Sequence, residues 1–331
     1  MNTIDKLKKW IFNLNNNISM NMLDRLLVSL VTGILRKIRM RVIGIHSLLN
    51  NNSNVIFVDE NRISLKLPRL SYVDILRRSQ RGTIDRCISF ANRPAAEVLL
   101  RNIVCELYDQ GILDKKKSVI DIGAWISDNT IIWAKTIDSE FAKVYAIDPS
   151  LDNIVFGETV SELNGIKNIS YHQNICSDVA GVELFFEGTL DHAAFNVEGE
   201  GVKSQSVSTT IDSIVTEKNH DSIGLFHIDV EGFEALVIKG AEGVILASKP
   251  FILFEQHISQ EEPEIICEYL RVRGYKIYMI NEVLPGCSLD CRNFLAIPLD
   301  IDLSNFIKNF DYEGISVQVY KAAVGPILIS V

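Results

Sequence analysis

The stretch that most constrains this chain is Val119–Thr130, V-I-D-I-G-A-W-I-S-D-N-T. Lys115–Lys117 stand ahead of a short apolar run, which ends in an Asp, a Gly and then Ser-Asp-Asn-Thr. A buried parallel strand that turns sharply into a helix has this composition. Asp121 falls at the strand's carboxyl end, where open α/β sheets bind their ligands. Gly123 permits a φ or a close backbone approach that a side chain forbids. Ser127 or Asp128 can cap the following helix. A dinucleotide is disfavoured, because pyrophosphate wants several glycines with bare backbone N–H groups. Here Gly123 is in place, but Trp125 and Ser127 stand at the second and third glycine positions. Bulk at Trp125 suits a ligand without phosphates, such as a nucleoside with an amino-acid arm. A strand–turn–helix with no ligand has the same pattern.

Strand and helix then alternate. Lys143–Ile147 reads as a second strand, 152–164 as a helix closed by Gly165, and Ile169–Ile175 as a third strand. Gly181–Ile211 departs from the rhythm as an inserted antiparallel hairpin. Ile223–Asp229 returns to strand, Glu234–Leu246 to helix, Phe251–Glu255 to strand and Pro263–Arg273 to helix; Tyr275–Ile280 and Asn293–Ile297 finish the sheet. Repeated βα units imply a parallel sheet with right-handed crossovers. Upstream, Pro94–Gln110 reads as a helix stopped by Gly111, and Val55–Leu67 as a hairpin. The expected organisation is a basic segment over 1–50, a hairpin and linker over 51–92, a main domain over 93–298 and an extension over 299–331.

Charge separates the first segment from the rest. Residues 1–46 carry eight Lys or Arg against Asp5 and Asp24, a net +6, which leaves −15 of the total −9 for the remainder. An acidic main domain is a poor nucleic-acid binder, since phosphate neutralisation needs clustered cations. The basic, amphipathic start can lie on an anionic membrane surface, or pack on the domain with its charges in solvent. No apolar h-region leads to a small-residue cleavage site, and Leu26–Leu35 is too short to span a bilayer, so a cytoplasmic protein is expected. The six cysteines, at 87, 105, 176, 267, 287 and 291, form no C-x-x-C pair and no zinc-finger spacing, which reads as buried or free thiols in a reducing compartment.

Two groups of polar residues sit at predicted strand ends. Asp148, after the second strand, can accept hydrogen bonds from ribose hydroxyls, or can simply form the turn before Pro149. His227, Asp229 and Glu231 are spaced by two and share a face while the strand lasts; Glu255 and His257 repeat the spacing on the next strand. Such a cluster can hold a general base, orient a hydroxyl or bind a divalent cation. Solvated strand ends with a hydrogen-bonded core His227 are the plainer reading.

Taken together, D-I-G-A-W-I-S-D-N-T at 121–130, V-Y-A-I-D-P-S at 144–150, T-T-I-D-S-I at 209–214, H-I-D-V-E-G-F-E at 227–234 with V-I-K-G-A at 237–241, and P-F-I-L-F-E at 250–255 resemble the FkbM-type S-adenosylmethionine-dependent methyltransferases. The resemblance implies a Rossmann-like class I methyltransferase fold: a seven-stranded, mostly parallel sheet with helices on both faces, here with an N-terminal helical and hairpin extension. It implies S-adenosylmethionine held near Asp121, Gly123, Ala124, Asn129, Asp148 and Asp229, with adenine near Cys176, Ser177 and Asp178. It also implies O-methylation of a hydroxyl, most simply on a sugar in a glycan or glycosylated metabolite. His257, Asp229 and Glu231 are the candidates to receive the hydroxyl proton, His257 foremost because its reference pKa of about 6.5 suits neutral pH. No metal site is expected. Two departures stand out: Ser127 where the family usually has Gly, and His227 in place of a common Lys. A nicotinamide or nucleotide-sugar enzyme on a similar sheet, and a non-catalytic binding module, are the rival readings.

Overall fold

A computed structural model of the chain describes residues 55–57, 62–66, 72–76, 98–189, 192–194, 203–215, 222–257, 263–281, 291–312, 315–316 and 326–331. The readings made for residues 1–50, including membrane contact, lie outside this set.

The central sheet grows from three strands with unbroken burial: β4 (Ser118–Ile122), β5 (Val144–Asp148) and β11 (Ile223–Ile228). Near-continuous apolar runs are what a strand covered on both faces requires. Successive side chains take opposite sides. Val119 and Leu225 face one core, built with helices α1 (Val98–Asp109), α2 (Asp128–Thr136) and α3 (Leu151–Leu163). Ile120, Ile122, Phe226 and Ile228 face the other, with α4 (Ile211–Ile214), α5 (Glu234–Lys239), α6 (Glu242–Ser248) and α7 (Pro263–Arg271).

Strand order across the sheet is β17-β13-β14-β12-β11-β4-β5-β6. Here β6 is Ile169–Gln173, β12 Phe251–His257, β13 Tyr275–Ile280, β14 Cys291–Pro298 and β17 Leu328–Ser330. From β6 to β12 every pairing is parallel; β14 slots antiparallel between β12 and β13. Seven of the strands therefore reproduce the class I methyltransferase sheet. The C-terminal residues add an eighth, β17, antiparallel to β13, after the short helix α8 (Ser304–Asn309).

The connection leaves β4 for β5 and β6, then returns to β11 on the other side of β4. The direction of winding thus reverses between β4 and β11, and ligands of open α/β sheets bind in the crevice at such a reversal.

Three local readings change. The run 234–246 is two helices, parted at Gly240, which passes so close to the segment after Cys176 that a Cβ would stand 2.0 Å from the Ser177 carbonyl oxygen. The third strand ends at Gln173: β7 (Ile175–Cys176) leaves the main sheet to pair with β10 (Lys203–Thr209), which with β8 (Glu183–Thr189) and β9 (His192–Ala194) forms the inserted antiparallel hairpin and its extra strand. Ser127 occupies the cap position of α2 without a side-chain cap bond, because its backbone is left-handed. The upstream hairpin is present as β1 (Val55–Phe57) and β2 (Arg62–Lys66), with β3 (Tyr72–Leu76) added antiparallel. Among the described residues no helix is long and apolar enough to cross a membrane. The four described cysteines, 105, 176, 267 and 291, are buried and are not joined in disulfides.

Candidate active site

The turn after β4 is built on alternating left-handed residues: Gly123 has φ 79°, Trp125 43° and Ser127 61°. All three glycine positions therefore keep a glycine-like backbone, although two hold side chains. Only Gly lacks a steric penalty there, and non-glycine residues in this region persist where their surroundings over-determine them. Gly123 is demanded by its neighbour, since a Cβ would lie 1.7 Å from the Asp229 carbonyl oxygen. That approach, with Asp229 N–H donating to the Ile122 carbonyl at 2.9 Å, locks the ends of β4 and β11 together. Gly123 and Ala124 each donate a backbone N–H to the Ile147 carbonyl, which ties in β5. Trp125 packs against the α1–α3 core.

Ser127's side chain is accommodated from across the turn. Tyr171 Oη donates to Ser127 Oγ at 3.3 Å, and a Cβ on Gly157 in the middle of α3 would stand 2.3 Å from that same Oγ. An interior helical glycine is unfavourable by about 1 kcal/mol; here its missing side chain is the seat for the serine.

Asp148 closes β5. Its Oδ1 accepts from Ser150 N–H at 2.8 Å and from Asn153 Nδ2 at 3.1 Å, and its Oδ2 from Trp125 N–H at 2.9 Å. The turn role and a ligand role are thus compatible: a carboxylate oxygen has two acceptor positions, and Oδ2 carries one bond from these groups. Burial raises the Asp148 carboxyl above its ordinary range, against the pull of its three N–H donors.

Asp121 lies deeper. At 1 % exposure, it receives His227 Nδ1 at 2.8 Å on Oδ1 and the Thr130 hydroxyl on Oδ2. His227 in turn sets its ring edge-on to Trp133, with centroids 6.2 Å apart. Asp121 and His227 form a buried dyad beneath the turn. Ser177 and Asp178 follow β7, with Ser177 Oγ donating to Asp178 Oδ1 at 3.2 Å; burial raises the Cys176 thiol well above its usual range.

On the β12 side, His257 Nε2 lies 3.4 Å from Glu231 Oε2 and 3.9 Å from Glu255 Oε1. The imidazole is 14 % exposed, between one half-exposed and one buried carboxylate. Cys291 Sγ donates to Glu255, because β14 runs antiparallel to β12 with His257 opposite Cys291 and Glu255 opposite Asn293. Glu231 is itself left-handed, φ 52°. Its turn is held by Glu234, whose Oε1 accepts from Val230 N–H and Gly232 N–H at 3.1 and 3.2 Å while Oε2 accepts from Gln256 at 2.9 Å.

The structure thus brings Glu231, Glu255 and His257 together and sends His227 to Asp121 instead. Asp229 follows β11 directly, between His227 and Glu231 in the chain. Among the described residues no group of three or more His, Cys, Asp or Glu side chains is disposed to hold a metal ion. Cys291, Asn293, Thr130, Glu234 and Arg101 join these groups without a sequence signal of their own: each depends on strand register or helix contact rather than on local spacing.

The chain matches the methyltransferase FkbM domain family over residues 121–277. Among solved structures it is similar to methyltransferase FkbM from Methylobacillus flagellatus KT, at 16% identity over 64% of this chain and 55% of that one, TM-score 0.40. It is also similar to precorrin-6y C5,15-methyltransferase from Geobacter metallireducens GS-15, at 13% identity over 61% and 87%, TM-score 0.36. A third is the Pyrococcus abyssi tRNA (uracil-54, C5)-methyltransferase in complex with S-adenosyl-L-homocysteine, at 14% identity over 72% and 44%, TM-score 0.35. The chain spans about half the length of the first of these. A search of curated proteins finds no significant match.

Proposed function

We propose, from the premise that residues 121–277 are an FkbM methyltransferase domain, that the chain transfers the methyl group of S-adenosylmethionine to a hydroxyl of a sugar in a glycan or glycosylated metabolite. The observation that carries this reading is the position of two dissimilar acidic groups at the sheet's reversal: buried Asp148 at the end of β5, and the Glu231–His257–Glu255 group at the ends of β11 and β12.

The residues present fit the nucleoside. Asp148 Oδ2 has an acceptor position left for a ribose hydroxyl beside the bond from Trp125. Gly123 and Ala124 keep the turn slim, and Ser177 and Asp178 are the residues assigned to the adenine side. When bound, the sulfonium supplies an electrophilic methyl, so the hard chemistry travels with the cofactor. What the chain must do is align an acceptor oxygen, exclude water and take up a proton. Alignment can be worth about 7 kcal/mol or more. His257 receives the hydroxyl proton at its imidazole, and the carboxylates of Glu231 and Glu255 favour the cation that results. A base of this kind suits a hydroxyl acceptor, which must lose a proton, better than a carboxylate acceptor, which need not. Asp229 and Glu231 are the other groups able to take that proton.

His257→Ala should lower turnover about a hundredfold or more while leaving the dissociation constant for S-adenosylhomocysteine within about twofold of the original. The assay is mass spectrometry for the gain of one CH₂ on neutral oligosaccharides incubated with cofactor. Wild-type turnover in the variant removes His257 from the reaction. Methyl transfer confined to nitrogen or carbon acceptors removes the hydroxyl assignment.

A further inference from the structure

Two side-chain-bearing residues, Trp125 and Ser127, hold left-handed backbone conformations that only glycine adopts without a penalty. Something must keep the turn from relaxing. The Tyr171–Gly157 seat fixes the serine's side chain but does not fix where α2 begins.

That is done by Arg101. It lies on α1, 2 % exposed, and reaches the first two residues of α2. Its Nε donates to Asn129 Oδ1 at 2.8 Å, and a terminal nitrogen donates to Asp128 Oδ2 at 2.5 Å. The planar fork fixes direction as well as distance, which a lysine does not. Asp128 directly follows Ser127, so the grip acts on the residue next to the strained one. β5 holds Gly123 and Ala124 through the Ile147 carbonyl and Trp125 N–H through Asp148 at one end, and Arg101 holds Asp128 and Asn129 at the other; Ser127, whose N–H turns back to the Ala124 carbonyl, joins the two.

We infer that Arg101 is a positioning residue for the cofactor: by gripping Asp128 and Asn129 it imposes on Trp125 and Ser127 the left-handed backbone that the nucleoside-binding turn uses. The inference rests on the proposed cofactor site in that turn. In this chain a buried cation on the helix before the sheet does the work that glycines would otherwise do.

The prediction is a coupling between two residues that do not share a hydrogen bond. S-adenosylhomocysteine binding is measured by calorimetry on the full chain and on Arg101→Met, Ser127→Gly and the double variant, with thermal midpoints recorded in parallel. Arg101→Met should weaken binding about tenfold or more, because the turn relaxes and binding must restore it. Ser127→Gly should strengthen binding at least about threefold more on the Arg101→Met background than it does alone, since glycine re-enters the left-handed region without penalty. A merely structural arginine would lower the thermal midpoint without this coupling. Should Arg101→Met fail to fold, Arg101→Lys and Asp128→Asn each loosen the same grip more gently and should show the same rescue. Unchanged affinity in these folded variants, or an equal effect of Ser127→Gly in both backgrounds, overturns the inference while leaving the cofactor site standing. Failure of the unaltered chain to bind S-adenosylhomocysteine overturns both.

Discussion

Gly123→Ala isolates the contact that joins the two halves of the sheet. Two costs add. An alanine at φ 79° pays the left-handed penalty, roughly 1–2 kcal/mol. Its Cβ would also stand 1.7 Å from the Asp229 carbonyl oxygen, so the end of β11 must retreat by roughly 1.5 Å to reach van der Waals distance. Overpacking of that kind costs about 1–3 kcal/mol, and the retreat stretches the Asp229-to-Ile122 hydrogen bond, worth about 1 kcal/mol. The total is about 3–6 kcal/mol. Gly111 is the internal control: its φ is 70° and a Cβ there would meet nothing within 4 Å, so Gly111→Ala carries the backbone penalty alone. Urea denaturation of both variants reads the difference, which should be at least about 2 kcal/mol. Equal losses in the two variants would show that the approach of β11 does not select glycine at 123 and does not lock the ends of β4 and β11 together.

Two further outcomes follow from buried carboxylates. Because burial raises Asp148's folded-state pKa above its ordinary 3.8, its contribution is present in full below that value and is lost as pH climbs through the raised pKa; denaturation at a series of pH values should therefore show the unaltered chain losing stability relative to Asp148→Asn as pH rises from about 4, and a flat difference refutes this. Glu234→Ala strips the acceptor from Val230 N–H, Gly232 N–H and the Gln256 amide; at about 1–3 kcal/mol per orphaned donor the loss in chemical denaturation should reach about 3 kcal/mol, with turnover falling as Glu231 leaves His257, and a loss below about 1 kcal/mol would mean that water replaces the carboxylate freely.

The sheet was largely legible because its strands are buried on both faces. Val119–Ile122, Val144–Ile147 and Ile223–Ile228 are apolar apart from the buried Asp121 and His227, and they give way to Gly123, Asp148 and Asp229 where the chain leaves the core. Helix limits were less legible where another segment intrudes: α5 ends at Gly240, where the Ser177 carbonyl passes too close for any side chain. Arg101 was hidden for a related reason. Periodicity assigns a charged residue to a wet face, yet residues 99–105 of α1 are all buried, so the helix has no dry stripe and wet stripe for Arg101 to choose between.

The site's pairings escaped the sequence on different grounds. Spacing by two puts His227, Asp229 and Glu231 on one side only while a strand lasts, but β11 ends at Ile228, and within it the β4–β11 register sets His227 beside Asp121, 106 residues away. Beyond that point the chain turns through left-handed Glu231 and Gly232, and the alternation no longer governs direction; Glu231 therefore swings to His257 on β12. The same reasoning explains the turn after β4. Reading glycines as permission for a conformation is sound, but the converse, that Trp125 and Ser127 forbid it, is not: Gly157 vacates space on α3 and Arg101 fixes α2, so the side chains tolerated at 125 and 127 are decided by residues 24 to 32 positions away. A chain that keeps Trp and Ser at these positions should consequently depend on both partners at once, and a side chain at 157 would meet the Tyr171 ring as well as Ser127 Oγ, so glycine at 127 alone should not make room for it.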